Sequence, residues 1–164
     1  MNVDFVTAIK LFFANYANFR GRSTRAEYWF ATLFVFLVSF VLGLIADVLS
    51  SIWGLAVLIP TLAIGCRRFH DAGKSGKLYA ALMIAGYVCG IVACIPLAGA
   101  FKDLTNPALA HSAAVDAVSS PLFWIGMLLS IVVGIITLIY LVKPSAPDNQ
   151  YGPNPHGPQA QEVR

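Results

Sequence analysis

Arg67-Arg68-Phe69-His70-Asp71-Ala72-Gly73-Lys74-Ser75-Gly76-Lys77 separates two long apolar runs and carries five of the chain's nineteen charged side chains. Residues 48–66 before it and 78–101 after it contain no charged side chain. An α-helix rises about 1.5 Å per residue, so about 20 apolar residues cross a hydrocarbon core. The polar stretch is therefore predicted to be a short hairpin at one face of a bilayer, between two spans. Residues 28–46 and 121–142 form two further uncharged runs of spanning length.

The whole composition agrees with that placement. Of 164 residues 58% are hydrophobic and 12% charged, where a soluble domain carries about 25% charged residues. We predict an all-α integral membrane protein with four transmembrane helices and an amphipathic N-terminal interfacial helix. Its parts are an interfacial segment over 1–23, a four-span membrane domain over 24–143 and a flexible cytoplasmic tail over 144–164. The first nineteen residues do not read as a cleaved secretory signal, because Lys10 and Asn15 interrupt the apolar part and no small-residue cleavage site precedes the arginines. Cys66, Cys89 and Cys94 are odd in number and lack metal-type spacing, so they read as apolar packing residues; no cofactor or metal is expected.

Charge sets the predicted orientation. Lys10, Arg20, Arg22 and Arg25 precede the first span, Arg67, Arg68, Lys74 and Lys77 lie between the second and third, and Lys143 and Arg164 follow the fourth. The other two loops hold Lys102 alone. Positive loops resist translocation, so both termini are expected on the cytoplasmic side of the membrane. A net charge of +3 then reflects orientation, with membrane phosphates as partners and no nucleic acid.

Along the chain, Phe5, Val6, Ile9, Phe12, Phe13 and Tyr16 recur at helical spacing and mark the amphipathic helix. Thr24-Arg25-Ala26-Glu27 fits a capping box, so a helix is expected to begin there, with Tyr28 and Trp29 at the headgroup level. So few polar residues, chiefly Asp47, Ser50 and Ser51, join the first two runs that a tight antiparallel hairpin is predicted. Pro60 and Pro96 each remove a helix hydrogen bond within a span. Ser39 with Gly43, Gly86 with Gly90, and Gly126, Ser130 and Gly134 are small residues four apart, expected at helix contacts. The outer loop 102–120, with His111, shows no cluster of ligand types. The Pro-rich stretch after Lys143 is expected to be extended or disordered.

Three chemistries suggest themselves for residues 67–77. A phosphate-binding loop ending in Gly73-Lys74-Ser75 would need glycine where Arg68 stands and a preceding strand. A metal or acid-base site at His70 and Asp71 lacks further convergent ligands, since His111 is predicted across the membrane and His156 lies in the tail. The third is recognition of an anionic headgroup or acidic partner by Arg67, Arg68, Lys74 and Lys77 with Arg20, Arg22 and Arg25. Gly73 and Gly76 would turn the backbone so that amides join the site with His70, Asp71 and Ser75. Topology alone is the rival explanation of these charges. Glu27 with Arg67 or Arg68, and Asp71 with Arg22 or Arg25, are expected as structural pairs.

The pattern of residues 19–29 (Phe-Arg-Gly-Arg-Ser-Thr-Arg-Ala-Glu-Tyr-Trp), Pro60, residues 67–76 and Asn149-Gln150-Tyr151-Gly152-Pro153 resembles the bacterial inner-membrane family known as domain of unknown function 805. The resemblance covers most of the chain and implies a small multi-span protein of the cytoplasmic membrane, without an activity to carry over. Lys77 and Leu78 stand where members often have aromatic residues, which leaves Tyr79 as the expected interfacial anchor, and the Ala-rich outer loop looks like an elaboration. The function these readings favour is non-enzymatic binding of anionic lipid or of a protein partner, including a second copy of the chain. The alternative is a small transporter or channel component, against which stands the absence of ionisable residues inside the spans. A membrane enzyme ranks third.

Overall fold

The computed structural model describes residues 3–98 and 106–155. Every regular element among them is helical: α1 Phe5–Ala14, α2 Arg25–Ile45, α3 Asp47–Asp71, α4 Gly76–Cys94 followed by a 3-10 turn Ile95–Leu97, α5 Pro107–Ser119 and α6 Pro121–Val142. Four of them, with α4 counted through its 3-10 turn, are long and apolar enough to cross a membrane, and α1 is a shorter apolar helix. Large apolar side chains such as Phe36, Leu44, Leu55 and Ile84 are exposed along these helices, as lipid-facing surfaces require. Residues 99–101 of the predicted third span, the start of the outer loop at 102–105 with Lys102, and the tail beyond 155 with His156 and Arg164 lie outside the described residues.

Packing divides the chain into one compact unit, Met1–Ala80 with Tyr140–Arg164, and a second, Ala81–Ile139. In the first, α2 starts where the capping box was predicted. The Thr24 hydroxyl accepts from the Glu27 amide at 3.2 Å while the Glu27 carboxylate accepts from the Thr24 amide at 3.0 Å. α2 and α3 form the predicted tight hairpin, turning on Ala46 alone, which is extended between them.

α1 packs along this hairpin. Phe5 meets Phe30 and Phe13 meets Phe34 edge-on, Ala8 and Phe12 are buried, and Val6 is exposed. Just beyond α1, the Tyr16 hydroxyl donates to the Ala56 carbonyl. That carbonyl is the one whose helical donor would be the amide of residue 60, and Pro60 has none. Tyr16 thus supplies the hydrogen bond that Pro60 removes, which lets α3 run unbroken through its proline.

α3 also runs further than the apolar pattern implied. Arg67 to Asp71 form its last turn, all five residues buried, so the predicted polar hairpin is reduced to a turn over 72–75. The turn closes α3 as a Schellman motif: Lys74 donates to Phe69 O at 2.9 Å and Gly73 to His70 O at 3.1 Å. Gly73 takes the left-handed conformation this requires, with φ of 76°. Ser75 then caps α4, its hydroxyl accepting from the Leu78 amide at 3.3 Å. Tyr79, expected as an interfacial anchor, is 3% exposed and lies over Gly65, where a Cβ would fall 2.3 Å from its ring.

In the second unit, Gly126 approaches the Ala93 backbone so closely that a Cβ would lie 2.7 Å from its nitrogen, and Gly86 faces Val133. The expected role of small residues in helix contact holds at these two. Gly90 and Gly134, and Gly43 in the first unit, have nothing within 4 Å of a built Cβ among the described residues. The outer loop is corrected over 107–119, which is helical. Asn106 caps it by accepting from the Ala108 amide, with Pro107 in the first turn.

Candidate functional site

The polar residues of the first unit converge on one carboxylate. Asp71, with no exposed side-chain surface, sets Oδ1 against the Arg22 guanidinium at 2.9 Å and Oδ2 against Arg68 at 2.6 Å; Oδ2 also accepts from the Ser145 hydroxyl at 2.6 Å. Its backbone carbonyl takes the Ala146 amide at 2.8 Å. Three segments far apart in sequence meet here: the stretch before α2, the end of α3, and the chain after α6.

The arginines around Asp71 are occupied. Arg22 gives its Nε to Asp71, one terminal nitrogen to Pro147 O and Gly152 O at 3.0 and 3.1 Å, and the other to Ala146 O and Asp71 O at 2.5 and 3.3 Å. A guanidinium has five N–H donors, and five acceptors surround this one. Arg68, completely buried, donates to Asp71, to the Leu141 carbonyl in the last turn of α6 and to the Lys143 carbonyl just beyond it. The pairing predicted between Asp71 and Arg22 is present. That predicted for Glu27 with Arg67 or Arg68 is not found as an ion pair among the described residues. Glu27 serves the helix cap and acts on Arg67 through space.

His70 is a packing group. Its Nδ1 lies 3.1 Å from Gly21 O, which can only accept, so this nitrogen carries the proton. The ring stacks on Tyr151 at 3.7 Å and 5°. Asn149 donates to His70 O and bridges to Gly152 through paired backbone bonds. Of the two alternatives expected for the tail, extended or disordered, disorder is corrected for residues 145–154, which Arg22, Asp71 and His70 fold onto the end of α3. The turn that Gly73 and Gly76 were expected to open toward an anion instead closes the helix through the amides of Gly73 and Lys74, and Lys74 Nζ lies 5.6 Å from the centre of the Tyr140 ring. Gly76 is packed tightly, a Cβ there falling 3.0 Å from His70 Nε2.

A different set of predicted residues shares a cavity. Arg20, Arg22, Glu27 and Arg67 line a half-open space of about 330 Å³ with Asn15, Thr24 and neighbouring residues. Arg67 is 4% exposed, yet its Nε has no hydrogen-bond partner among the described residues. Arg20, Arg25 and Lys77 are exposed. Among the described residues no three His, Cys, Asp or Glu side chains gather as for a metal. Sequence reasoning missed Asn15 as a cavity residue and Ser145 as a contact of Asp71, whereas Tyr151-Gly152, which the sequence offers as a third element of the inner surface, does meet His70 and Arg22.

Fold and site together define a small all-helical membrane protein in which a buried arginine–aspartate cluster fastens the ends of its helices. The chain belongs to the family described as protein of unknown function (DUF805), which matches residues 16–153. It is similar to inner membrane protein YhaI of Escherichia coli K12, 39% identical over 69 residues, covering 38% of this chain and 58% of that protein. Inner membrane protein YhaH of the same strain is 38% identical over 72 residues, covering 37% of this chain and 60% of its own length. The matched part thus spans less than two thirds of either relative. No solved structure matches the chain.

Proposed function

We propose that this is a non-enzymatic multi-span protein with both termini cytoplasmic, whose basic cytoplasmic face binds anionic lipid headgroups. The carrying observation is a division among its cations. Arg22 and Arg68 are consumed by internal acceptors, while Arg20, Arg25 and Lys77 remain exposed around them. Each exposed cation near an anionic leaflet contributes about 1 kcal/mol, so three together favour anionic over neutral lipid by roughly a hundredfold. The orientation rests on four candidate spans and on basic residues concentrated in alternate connecting segments.

Reporter fusions at Ser75 and after Pro155 test the orientation, and opposite sidedness would reject it. Purification in nanodiscs from mixed lipid, with mass spectrometry of what is retained, tests the binding. Retained lipid matching the bulk membrane, in the native protein and in a variant with Arg20, Arg25 and Lys77 changed to alanine alike, would reject it.

A further inference from the structure

Arg67 is the anomaly of the polar cluster. Its neighbour Arg68 is as deeply buried and has a carboxylate and two carbonyls to bind. Arg67 is 4% exposed, has an unpartnered Nε, and has no carboxylate within ion-pairing distance among the described residues. A buried, unpaired guanidinium destabilises a fold unless a counter-anion reaches it. The opening is there: Arg67 lines the cavity of about 330 Å³, and Arg20 lines it too.

The other polar groups of the lining are mostly committed. Asn15 donates to Leu11 O, Asn18 donates to Asn15 and accepts from the Arg20 amide, and Thr24 and Glu27 satisfy each other in the cap. Arg22 has spent its donors on Asp71 and on carbonyls of the tail. What remains for a ligand is the pair of guanidiniums of Arg20 and Arg67. Guanidinium forks match the oxygens of phosphate in paired, charge-assisted hydrogen bonds. Among the described residues, Arg20, Arg22, Arg67 and Arg68 stand against only Glu27 and the Asp71 carboxylate that Arg22 and Arg68 share, so positive charge is left over, which suits an anionic phosphodiester. The volume equals about eleven waters at about 30 Å³ each, at the small end of ligand sites. That is room for a headgroup, with acyl chains outside.

We infer that this cavity is a phosphodiester seat, with Arg67 as its principal ligand and Arg20 as its second. It deepens the lipid-binding reading and rests on it, by naming where in the basic face a headgroup phosphate is held. The phosphate belongs to a membrane lipid or to a soluble phosphodiester, and the chemistry of the seat is the same for both.

The test uses the full chain in maltoside detergent, with its thermal midpoint followed against dihexanoyl phosphatidylglycerol, against its deacylated headgroup glycerophosphoglycerol, and against sodium chloride at matched ionic strength. The native protein is expected to be stabilised by the phosphodiester and not by chloride. Stabilisation by the acylated form alone identifies a membrane lipid, and equal stabilisation by the headgroup identifies a soluble source. Arg67→Met is expected to bind at least about tenfold more weakly while its midpoint without ligand is unchanged or higher, since a buried unpaired charge has been removed. If that variant does not fold, Arg67→Lys keeps the charge without the fork and is expected to bind more weakly too. Native affinity in either folded variant overturns the seat. Should weakening then follow only when Arg25 and Lys77 are removed, the lipid-binding face stands and the seat alone is lost; a native protein that neither responds to phosphodiester nor retains anionic lipid rejects both.

Discussion

Asp71→Asn is the most informative single change, because it preserves shape and removes only charge and half of the acceptor capacity. In the native protein one carboxylate serves two arginines and Ser145, with side-chain exposures of 0% for Asp71, 0% for Arg68 and 3% for Arg22. An asparagine keeps one oxygen, so one guanidinium loses its acceptor and meets an amide N–H instead. The buried cluster passes from one excess positive charge to two. Removing one partner of a buried ion pair costs about 3–5 kcal/mol, and with two arginines affected the upper part of that range is expected. The segment 145–152 should loosen as well, since Arg22 and Asp71 hold it through Ser145, Ala146, Pro147 and Gly152. Unfolding in a dodecyl sulfate titration measures the stability, and limited proteolysis within 145–152 measures the release. A variant within about 1 kcal/mol of the native protein, its tail equally protected, would refute the claim that Asp71 is the fastening point.

Gly73→Ala should lower stability by about 1–2 kcal/mol, because φ of 76° disfavours a side chain and the new Cβ would stand 3.3 Å from that of Ala146; a denaturant midpoint equal to the native one counts against the Schellman closure. Tyr16→Phe should cost about 1 kcal/mol by leaving Ala56 O unsatisfied, and the same change in a Pro60→Ala background should be nearly neutral, because the new amide at 60 reaches that carbonyl. A double-mutant cycle with no coupling would separate the two features. Tyr151→Ala should remove about 0.5–1.5 kcal/mol of stacking on His70 and raise amide exchange at 149–152, and unchanged exchange would show that the stack does not hold the tail.

The spans, the hairpin at Ala46 and the capping box at Thr24 were legible because each is set by local chemistry: a run without charges, too few polar residues for a loop, and a hydroxyl three residues before a carboxylate. The end of α3 was not. Arg67 to Asp71 look like a loop by composition, and they remain helical because Arg22, 49 residues from Asp71, and the carbonyls of Leu141 and Lys143, 73 and 75 residues from Arg68, satisfy their charges. No periodicity reveals partners at such separation; only two acids set among arginines hinted at them, and one of the two pairings followed. The tail's order was hidden for the same reason, although Tyr151-Gly152 did offer itself as a third element of the inner surface. Prolines and polar residues imply disorder when nothing binds them, and here Asp71 and His70 do. The helix over 107–119 did leave a local sign, asparagine followed by proline at a helix start, which its polar surroundings obscured.

Arg67 and Arg68 are adjacent, alike in chemistry and almost equally buried, yet Arg68 has a carboxylate and two carbonyls as partners and Arg67 Nε has none among the described residues. The most direct measurement is the anionic lipid retained per folded molecule, by mass spectrometry from mixed-lipid nanodiscs, for Arg67→Met and Arg68→Met side by side. Arg68→Met should reduce the folded yield, with the lipid carried by each surviving molecule unchanged. Arg67→Met should fold like the native protein and carry less anionic lipid. Equal lipid in all three proteins, or a loss confined to Arg68→Met, would contradict the account.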